Sequence, residues 1–332
     1  MVIKLPKLTI GNIKLKNCLM LAPMAGITDL PLRELAIDGG AGLVFTEMIS
    51  ATAMVYKDKK TYKLLTSSKK EKDCVVAQIF GTKPDIMAEC AKRIQGLGYK
   101  FIDINLGCPA KKITKVGAGS RLLANPKQVE NVLTAVVNAV SIPVSVKTRI
   151  GLFKGQNVAC EIIEIAQNCG IKMITLHARY AEFAHSGEPD LEAFSVACQT
   201  AKIPIIANGG IVDIQTAQKF LNIPNCSGLM IGRGAIGNYD IFKRIENFFD
   251  KGKMIAPPTI QTRLKWFRQN AIASLKYYGQ DKGLVVLRKI APYYIKGLPN
   301  ACSIRNQFNK INTLKEFDDI FKYSKLFWPY DR

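Results

Sequence analysis

Asn105-Leu-Gly-Cys-Pro109 sets a thiol in a turn directly after Phe101 to Ile104, an apolar run that reads as a buried strand. A cysteine in such a turn, flanked by Gly107 and Pro109, can face a ligand. Two glycine-rich turns, Asn208-Gly-Gly-Ile211 and Gly232-Arg-Gly-Ala235, also follow apolar runs. Glycine lets backbone N–H groups come close to an anion, and Arg233 adds charge, so the two turns together read as a phosphate site. Gln78, Lys147 and His177 close three further runs. An amide, an ammonium and an imidazole suit a planar ring with carbonyl and ring-nitrogen acceptors. His185, in a loop after Ala181-Glu-Phe-Ala184, reads as a surface residue.

These residues need elements that bring them together. Eight short apolar runs, each closing on a polar or glycine-rich signature, recur along the chain: Leu19 to Pro23, Leu43 to Glu47, Val75 to Gln78, Phe101 to Asn105, Val144 to Lys147, Met173 to His177, Ile205 to Asn208 and Gly228 to Gly232. Between them, Asp85 to Leu97, Pro126 to Ala139, Val158 to Cys169 and Ile214 to Leu221 carry apolar residues at helical spacing. This alternation predicts an α/β chain folded as a (β/α)8 TIM barrel, with the polar residue ending each strand on the rim that carries chemistry. The alternative is an open doubly wound sheet, for which no early Gly-x-Gly-x-x-Gly is present. In a barrel the two glycine turns follow strands seven and eight, the common place for a phosphate. Flavin mononucleotide (FMN) fits such a site. Lys147 beside its N1/C2 carbonyl edge would stabilise the anionic reduced ring, and Gln78 would offer both donor and acceptor to a pyrimidine-like edge. Pro23, Met24 and Ala25, after strand one, would form an apolar shelf. The expectation is that the seventh and eighth loops lie close enough to share an anion and that the Cys108 thiol is not packed in the interior.

At 332 residues the chain exceeds one barrel of about 250 residues, and the excess of ~80 suits a second small domain. The alternation stops near Asp240, and Thr262 to Tyr277 and Gly283 to Lys296 read as helices. Gly252, Pro257 and Pro258 interrupt the pattern, which divides the chain into a catalytic barrel, residues 1–250, and a helical C-terminal domain, residues 251–332. The formal charge of +21 is unevenly spread: residues 245–332 hold 16 basic and 7 acidic side chains, against 31 and 19 in residues 1–244. Such an excess suits attraction to a polyanion; lysines that only solvate a helical face, or a lysine-rich composition, would raise the sum as well. The tail's rings, among them Trp266, Phe267, Tyr277, Tyr278, Tyr293 and Tyr294, read either as a helical core or as a platform for RNA bases. Nine cysteines without a Cys-x-x-Cys suit a reducing cytoplasm, and two histidines with no paired thiols argue against a metal site. The start, Met1-Val-Ile-Lys-Leu-Pro6, has no signal-peptide core, and every apolar run is too short to span a membrane.

In order along the chain, Ala22-Pro-Met-Ala-Gly-Ile-Thr-Asp29, Thr46-Glu-Met48, Gln78-Ile-Phe-Gly81, Asn105-Leu-Gly-Cys-Pro109, Val146-Lys-Thr-Arg149, His177-Ala-Arg179, Asn208-Gly-Gly-Ile211 and Ile231-Gly-Arg-Gly-Ala235 resemble the signatures of the tRNA-dihydrouridine synthases. Arg288 to Pro299 and Ser303-Ile-Arg305 resemble the helical domain of the bacterial B-type members. The resemblance implies an FMN-dependent reduction of the C5–C6 double bond of a uridine in tRNA, consuming NADPH or NADH. Hydride would pass from flavin N5 to uracil C6 while a general acid protonates C5. Cys108 is the candidate acid, since a thiol of ordinary pKa about 8.5 is mostly protonated at neutral pH. A structural cysteine and a covalent nucleophile are the other readings; no neighbouring histidine base or oxyanion motif in the sequence supports the second.

Carried over residue by residue, the flavin set is Pro23, Met24, Ala25, Gln78, Lys147, Asn208, Gly209, Gly210, Gly232 and Arg233, with His177 a further contact. Asn105, Arg149 and Arg179 are candidates for the flipped uridine or nearby phosphates. The implied partner is tRNA, with no membrane, metal or obligate protein partner. Two departures from the family's pattern stand out: His177-Ala-Arg-Tyr180 in place of the commoner His-Gly-Arg-Thr, and Arg121 where a small residue is commoner. The rivals are a small-molecule flavin oxidoreductase of the dihydroorotate dehydrogenase type and an RNA-binding chaperone that keeps a flavin without using it.

Overall fold

The computed structural model describes residues 4–323. Residues 1–3, within the start read above, and 324–332, the end of the expected C-terminal domain, lie outside the described residues.

Eight parallel strands form the core: β1 (Leu19–Leu21), β2 (Leu43–Phe45), β3 (Val75–Phe80), β4 (Ile102–Asn105), β5 (Val144–Arg149), β6 (Met173–His177), β7 (Ile205–Asn208) and β8 (Cys226–Ile231). Each pairs with its neighbour in the chain, β8 pairs with β1, and Val44 opposite Val75 joins β2 to β3, so the sheet closes. Both faces of the strands are covered, which is why they read as nearly continuous apolar runs. Helices wrap the outside, several started by a side-chain cap: Asp29 accepts from the Leu32 N–H, Asp190 from Ala193, and Asp213 forms a capping box with Thr216. The expected (β/α)8 barrel is the fold.

Two strands run further than their sequence patterns suggest. β3 continues to Phe80 and β5 to Arg149, because a short strand at Ile49–Ser50 pairs with Ile79 and Phe80 and because Thr148 and Arg149 pair with Leu176 and His177. Gln78 and Lys147 therefore lie inside strands rather than at their ends. Side chains alternate across a strand, so Ser145, Lys147 and Arg149 share one face of β5, and Asp103 and Asn105 share one face of β4. Both sets are buried.

The eighth barrel helix, Ile241–Lys251, ends at Gly252 in the left-handed region (φ 64°). Helices Ile260–Tyr278, Gln280–Ile295, Ala301–Phe308 and Leu314–Tyr323 follow. Their rings make a core: Phe267 stacks on Tyr294 at 4.5 Å between centroids and meets Phe308 and Phe317 at 5.2 and 4.8 Å. Those rings are buried and so are not a platform for bases. The joint with the barrel is polar and buried. Asn270 Nδ2 donates to the hydroxyls of Tyr239 and Tyr294, 3.2 Å to each, and the two hydroxyls bond each other. Tyr277 donates to the Lys63 carbonyl at 2.9 Å. Among the described residues no helix is long and apolar enough to cross a membrane, and no group of three or more His, Cys, Asp or Glu side chains could hold a metal ion.

Candidate active site

A cavity of about 640 Å³ opens at the C-terminal end of the barrel, within the usual size for a cofactor or small-ligand site. All fifteen residues singled out in the sequence line it. Pro23, Met24 and Ala25 come from the loop after β1, Gln78 from β3, Asn105 and Cys108 from β4 and its turn, and Lys147 and Arg149 from β5. His177 and Arg179 follow from β6, Asn208, Gly209 and Gly210 from β7, and Gly232 and Arg233 from β8.

One side of the cavity is organised by a chain of hydrogen bonds that starts at Asp103, a residue the sequence did not mark. Its carboxylate accepts from Ser145 Oγ at 2.6 Å and from Gln78 Nε2 at 2.7 Å. Because an ionised carboxylate only accepts, Gln78 must turn its oxygen the other way, where it accepts from Asn105 Nδ2 at 2.9 Å. Asn105 Oδ1 then accepts from the N–H groups of Gly107 and Cys108, at 3.1 and 2.9 Å. Arg149 completes the brace, donating to Gly107 O at 2.7 Å and Tyr180 O at 3.3 Å. The turn is thus held in place while the Cys108 thiol stays half-buried at the cavity wall, as anticipated. The Gln78 amide bonds Asp103 and Asn105, which leaves one N–H and one lone pair, a donor and an acceptor, for a ligand.

The opposite side suits an anion. Gly209 and Gly210 have φ of 113° and 72°, a region that side chains rarely adopt. A Cβ on Gly209 would lie 2.8 Å from the His177 ring, and one on Gly234 would lie 2.2 Å from Ile211 O. The second figure means that the loops after β7 and β8 pack against each other, so both can face one phosphate. Cationic groups crowd the same space. Burial, then the neighbouring Arg149, pulls Lys147 down to about 7, although Asp103 opposes this. Burial brings Arg149 down to about 10 and lowers Arg179, which Arg233 lowers further. His177 is held well below its ordinary value by burial and by Lys147, Arg149 and Arg179. It is neutral, and Arg179 Nη1 lies 3.3 Å from its Nε2. Lys147 Nζ donates to Asn208 Oδ1 at 2.8 Å and keeps two N–H groups for a ligand. Buried cations that repel one another are stabilised by an anion among them.

His185, Met48 and Tyr293 are among the cavity residues that the sequence did not mark as such. His185, expected at the surface, is exposed yet also lines the cavity, its ring 5.9 Å from that of His177. Its loop is drawn over the mouth by Ala181 and Glu182, whose N–H groups bond Gly151 O and Leu152 O, and by Arg233, which donates to His185 O. No local signal encodes that placement. Met48 sits beside Asn105, its Sδ 3.9 Å from Nδ2, and was visible only as part of Thr46-Glu-Met48. Tyr293 reaches the cavity from helix Gln280–Ile295, so the helical tail contributes to the wall.

Comparison with known proteins agrees with this architecture. Residues 20–326 match the family model described as dihydrouridine synthase (Dus). The chain is 40% identical to tRNA-dihydrouridine synthase B of Proteus vulgaris, over 92% of this chain and 95% of that protein. It is 35% identical to a probable tRNA-dihydrouridine synthase of Rickettsia conorii, over 91% and 92% of the two chains. Among solved structures, morphinone reductase superposes with a TM-score of 0.55 at 14% identity, covering 79% of this chain and 93% of that one, a likeness of fold. The matched length, the identity to its relatives and the ordered strand-end residues converge: the chain belongs to the dihydrouridine synthase family.

Proposed function

We propose that this protein reduces the C5–C6 double bond of particular uridines in tRNA to give 5,6-dihydrouridine, with FMN as its cofactor and NADPH or NADH as reductant. The observation that carries the reading is the shared cavity: the Cys108 thiol stands on one wall and a glycine-lined, cation-rich anion site on the other. The residues present fit FMN. Gly209, Gly210, Gly232 and Arg233 would hold its phosphate, Pro23, Met24 and Ala25 would lie against the ring, and the two unused N–H groups of Lys147 would meet its carbonyl edge. A flavin held there and reduced by NADPH or NADH would supply the hydride for uracil C6.

The chain's own residues do the rest. Cys108 Sγ gives its proton to uracil C5, and the thiolate left behind takes a proton back from solvent before the next turnover. Asn105 acts through the turn it braces, because its amide oxygen already accepts two backbone N–H groups and Nδ2 donates to Gln78. Arg149 fixes the same turn, and Arg179 and Arg233 favour a negatively charged ligand at the mouth. Residues 251–332 serve as the tRNA-binding domain: most of the basic side chains among its described residues are exposed, and Lys289 Nζ lies 3.3 Å from where a Gly26 Cβ would be, beside the cavity-lining Ala25 and Ile27. The reaction takes place in the cytoplasm, where tRNA and reduced nicotinamide cofactor meet.

The test is nucleoside mass spectrometry of tRNA from a strain lacking the protein, mapped by position, beside the absorbance spectrum of the purified protein. Loss of dihydrouridine at defined positions and a yellow protein that NADPH bleaches are expected. A colourless protein that refuses added FMN, or unchanged dihydrouridine, would sink the reading.

A further inference from the structure

We propose that a second pocket, basic and open, seats the phosphodiester backbone of the RNA strand that delivers the target base to Cys108. The inference rests on the reading above, in which an RNA base reaches that thiol. The pocket, of about 500 Å³, shares Pro109 with the main cavity and is lined on its far side by Lys111, Lys115, Arg121, Phe153 and Glu182.

Its construction ties it to the reacting group. The Ser120 N–H donates to Cys108 O at 3.0 Å, and Gly119, at φ 62°, packs so closely that a Cβ there would lie 2.6 Å from the same oxygen. Arg121 follows directly, so its backbone is anchored to the peptide of Cys108. Lys111 and Lys115 sit one turn apart, joined by a 2.9 Å bond from Lys115 N to Lys111 O. The opposite wall is steadied by the pairing of Ala181 and Glu182 with Gly151 and Leu152.

The chemistry of the lining selects a phosphate-bearing strand. Lys111, Lys115 and Arg121 are exposed, and none forms an ion pair among the described residues. The one acid in the pocket, Glu182, is engaged with the backbone N–H of Lys154. Phe153, 49% exposed, places a bare ring beside these cations, the pairing that holds single-stranded nucleic acid by stacking and charge together. A base that enters the main cavity past Pro109 leaves its flanking phosphates over this ledge.

The experiment uses the full chain and a tRNA transcript. Arg121→Glu and Lys115→Glu are each compared with Arg121→Lys and with Lys92→Glu, a reversal of charge at an exposed position of helix Pro84–Gly96. Arg121→Glu is expected to weaken tRNA binding roughly tenfold and to flatten the log–log salt dependence by about 0.7 to 0.9, the value of one phosphate contact. Arg121→Lys and Lys92→Glu should each stay within about twofold of wild type. The rate at which NADPH bleaches the flavin should not change. The proposal is overturned if Arg121→Glu leaves tRNA affinity and salt slope untouched, if Lys92→Glu has the same effect, or if NADPH saturation shifts instead, which would mark a nucleotide-cofactor site. A wild-type protein that does not bind tRNA would remove the functional reading as well, so the two failures are told apart.

Discussion

The barrel mouth and the helical tail handle charge in opposite ways. At the mouth, Lys147, Arg149 and Arg179 are buried, each tied to a protein oxygen or to the ring nitrogen of the neutral His177, and their mutual repulsion is left for an anion to relieve. In the tail Phe267, Tyr294, Phe308 and Phe317 are buried, and most basic side chains among the described residues are exposed to solvent. Short-range, water-poor electrostatics discriminate among ligands and resist salt, whereas exposed charge attracts any polyanion and is screened within about 8 Å at physiological ionic strength. On the proposed reading, the first region suits FMN, and exposed charge such as the tail's suits the tRNA. Raised salt is therefore expected to weaken tRNA binding steeply and FMN binding slightly.

The sharpest way to break this division is Cys108→Ala, which should lower kcat by roughly 10²–10⁴-fold, the usual worth of a general acid, while FMN content and tRNA affinity stay as they are. A loss of only a few-fold in single-turnover experiments would move the proton donor elsewhere. Phe267→Ala, at the centre of the tail's aromatic core, should cost about 3–5 kcal/mol in chemical denaturation. Because Tyr294 belongs both to that core and to the buried joint with Tyr239, FMN release should shift to lower denaturant together with the tail. Flavin retained at the wild-type midpoint would make the two regions energetically independent.

Acidity offers a finer test. Asp103 is pushed up to about 6 by burial, against the hydrogen bonds from Gln78 and Ser145. Its native form therefore holds the proton more tightly than the unfolded chain does, and stability from this group falls as pH rises from about 4 to 6. Lys147, depressed to about 7, has the opposite slope above neutrality: the unfolded chain binds the extra proton, so stability rises with pH from about 7 toward 10. The flavin-free protein should show a stability trough between about pH 6 and 7. Asp103→Asn should remove its acid flank and Lys147→Met its alkaline one. FMN binding should draw a proton onto Lys147 near pH 8, read by calorimetry in buffers of different ionisation enthalpy. The smallest effect expected is that of Lys289→Ala, a few-fold loss of tRNA affinity and a salt slope flatter by about 0.7 to 0.9, with FMN binding unchanged.

Much of the site was legible because chemistry sits at the strand ends and each strand carries a local apolar signature. Asn105, His177 and Asn208 each close a strand that period and polarity identify. Gln78 and Lys147 were legible as site residues but misplaced within their strands, since strand length depends on how far a neighbour keeps pairing. Asp103 was passed over because an acid inside an apolar run looks like a flaw until Ser145 and Gln78 are seen across the sheet from it.

By itself the sequence determined the barrel, its closing order and the identity of the groups around its mouth, because repeat spacing, glycine at strained turns and strand-end polarity are properties of neighbours along the chain. Tertiary structure alone decided that His185 folds back over the cavity, that Tyr293 enters it from the tail, that Phe267, Tyr294, Phe308 and Phe317 serve packing, and that Asp103 sets the direction of two amides behind Cys108. Those facts depend on contacts between residues far apart in the chain, whose partners are chosen only when the sheet closes.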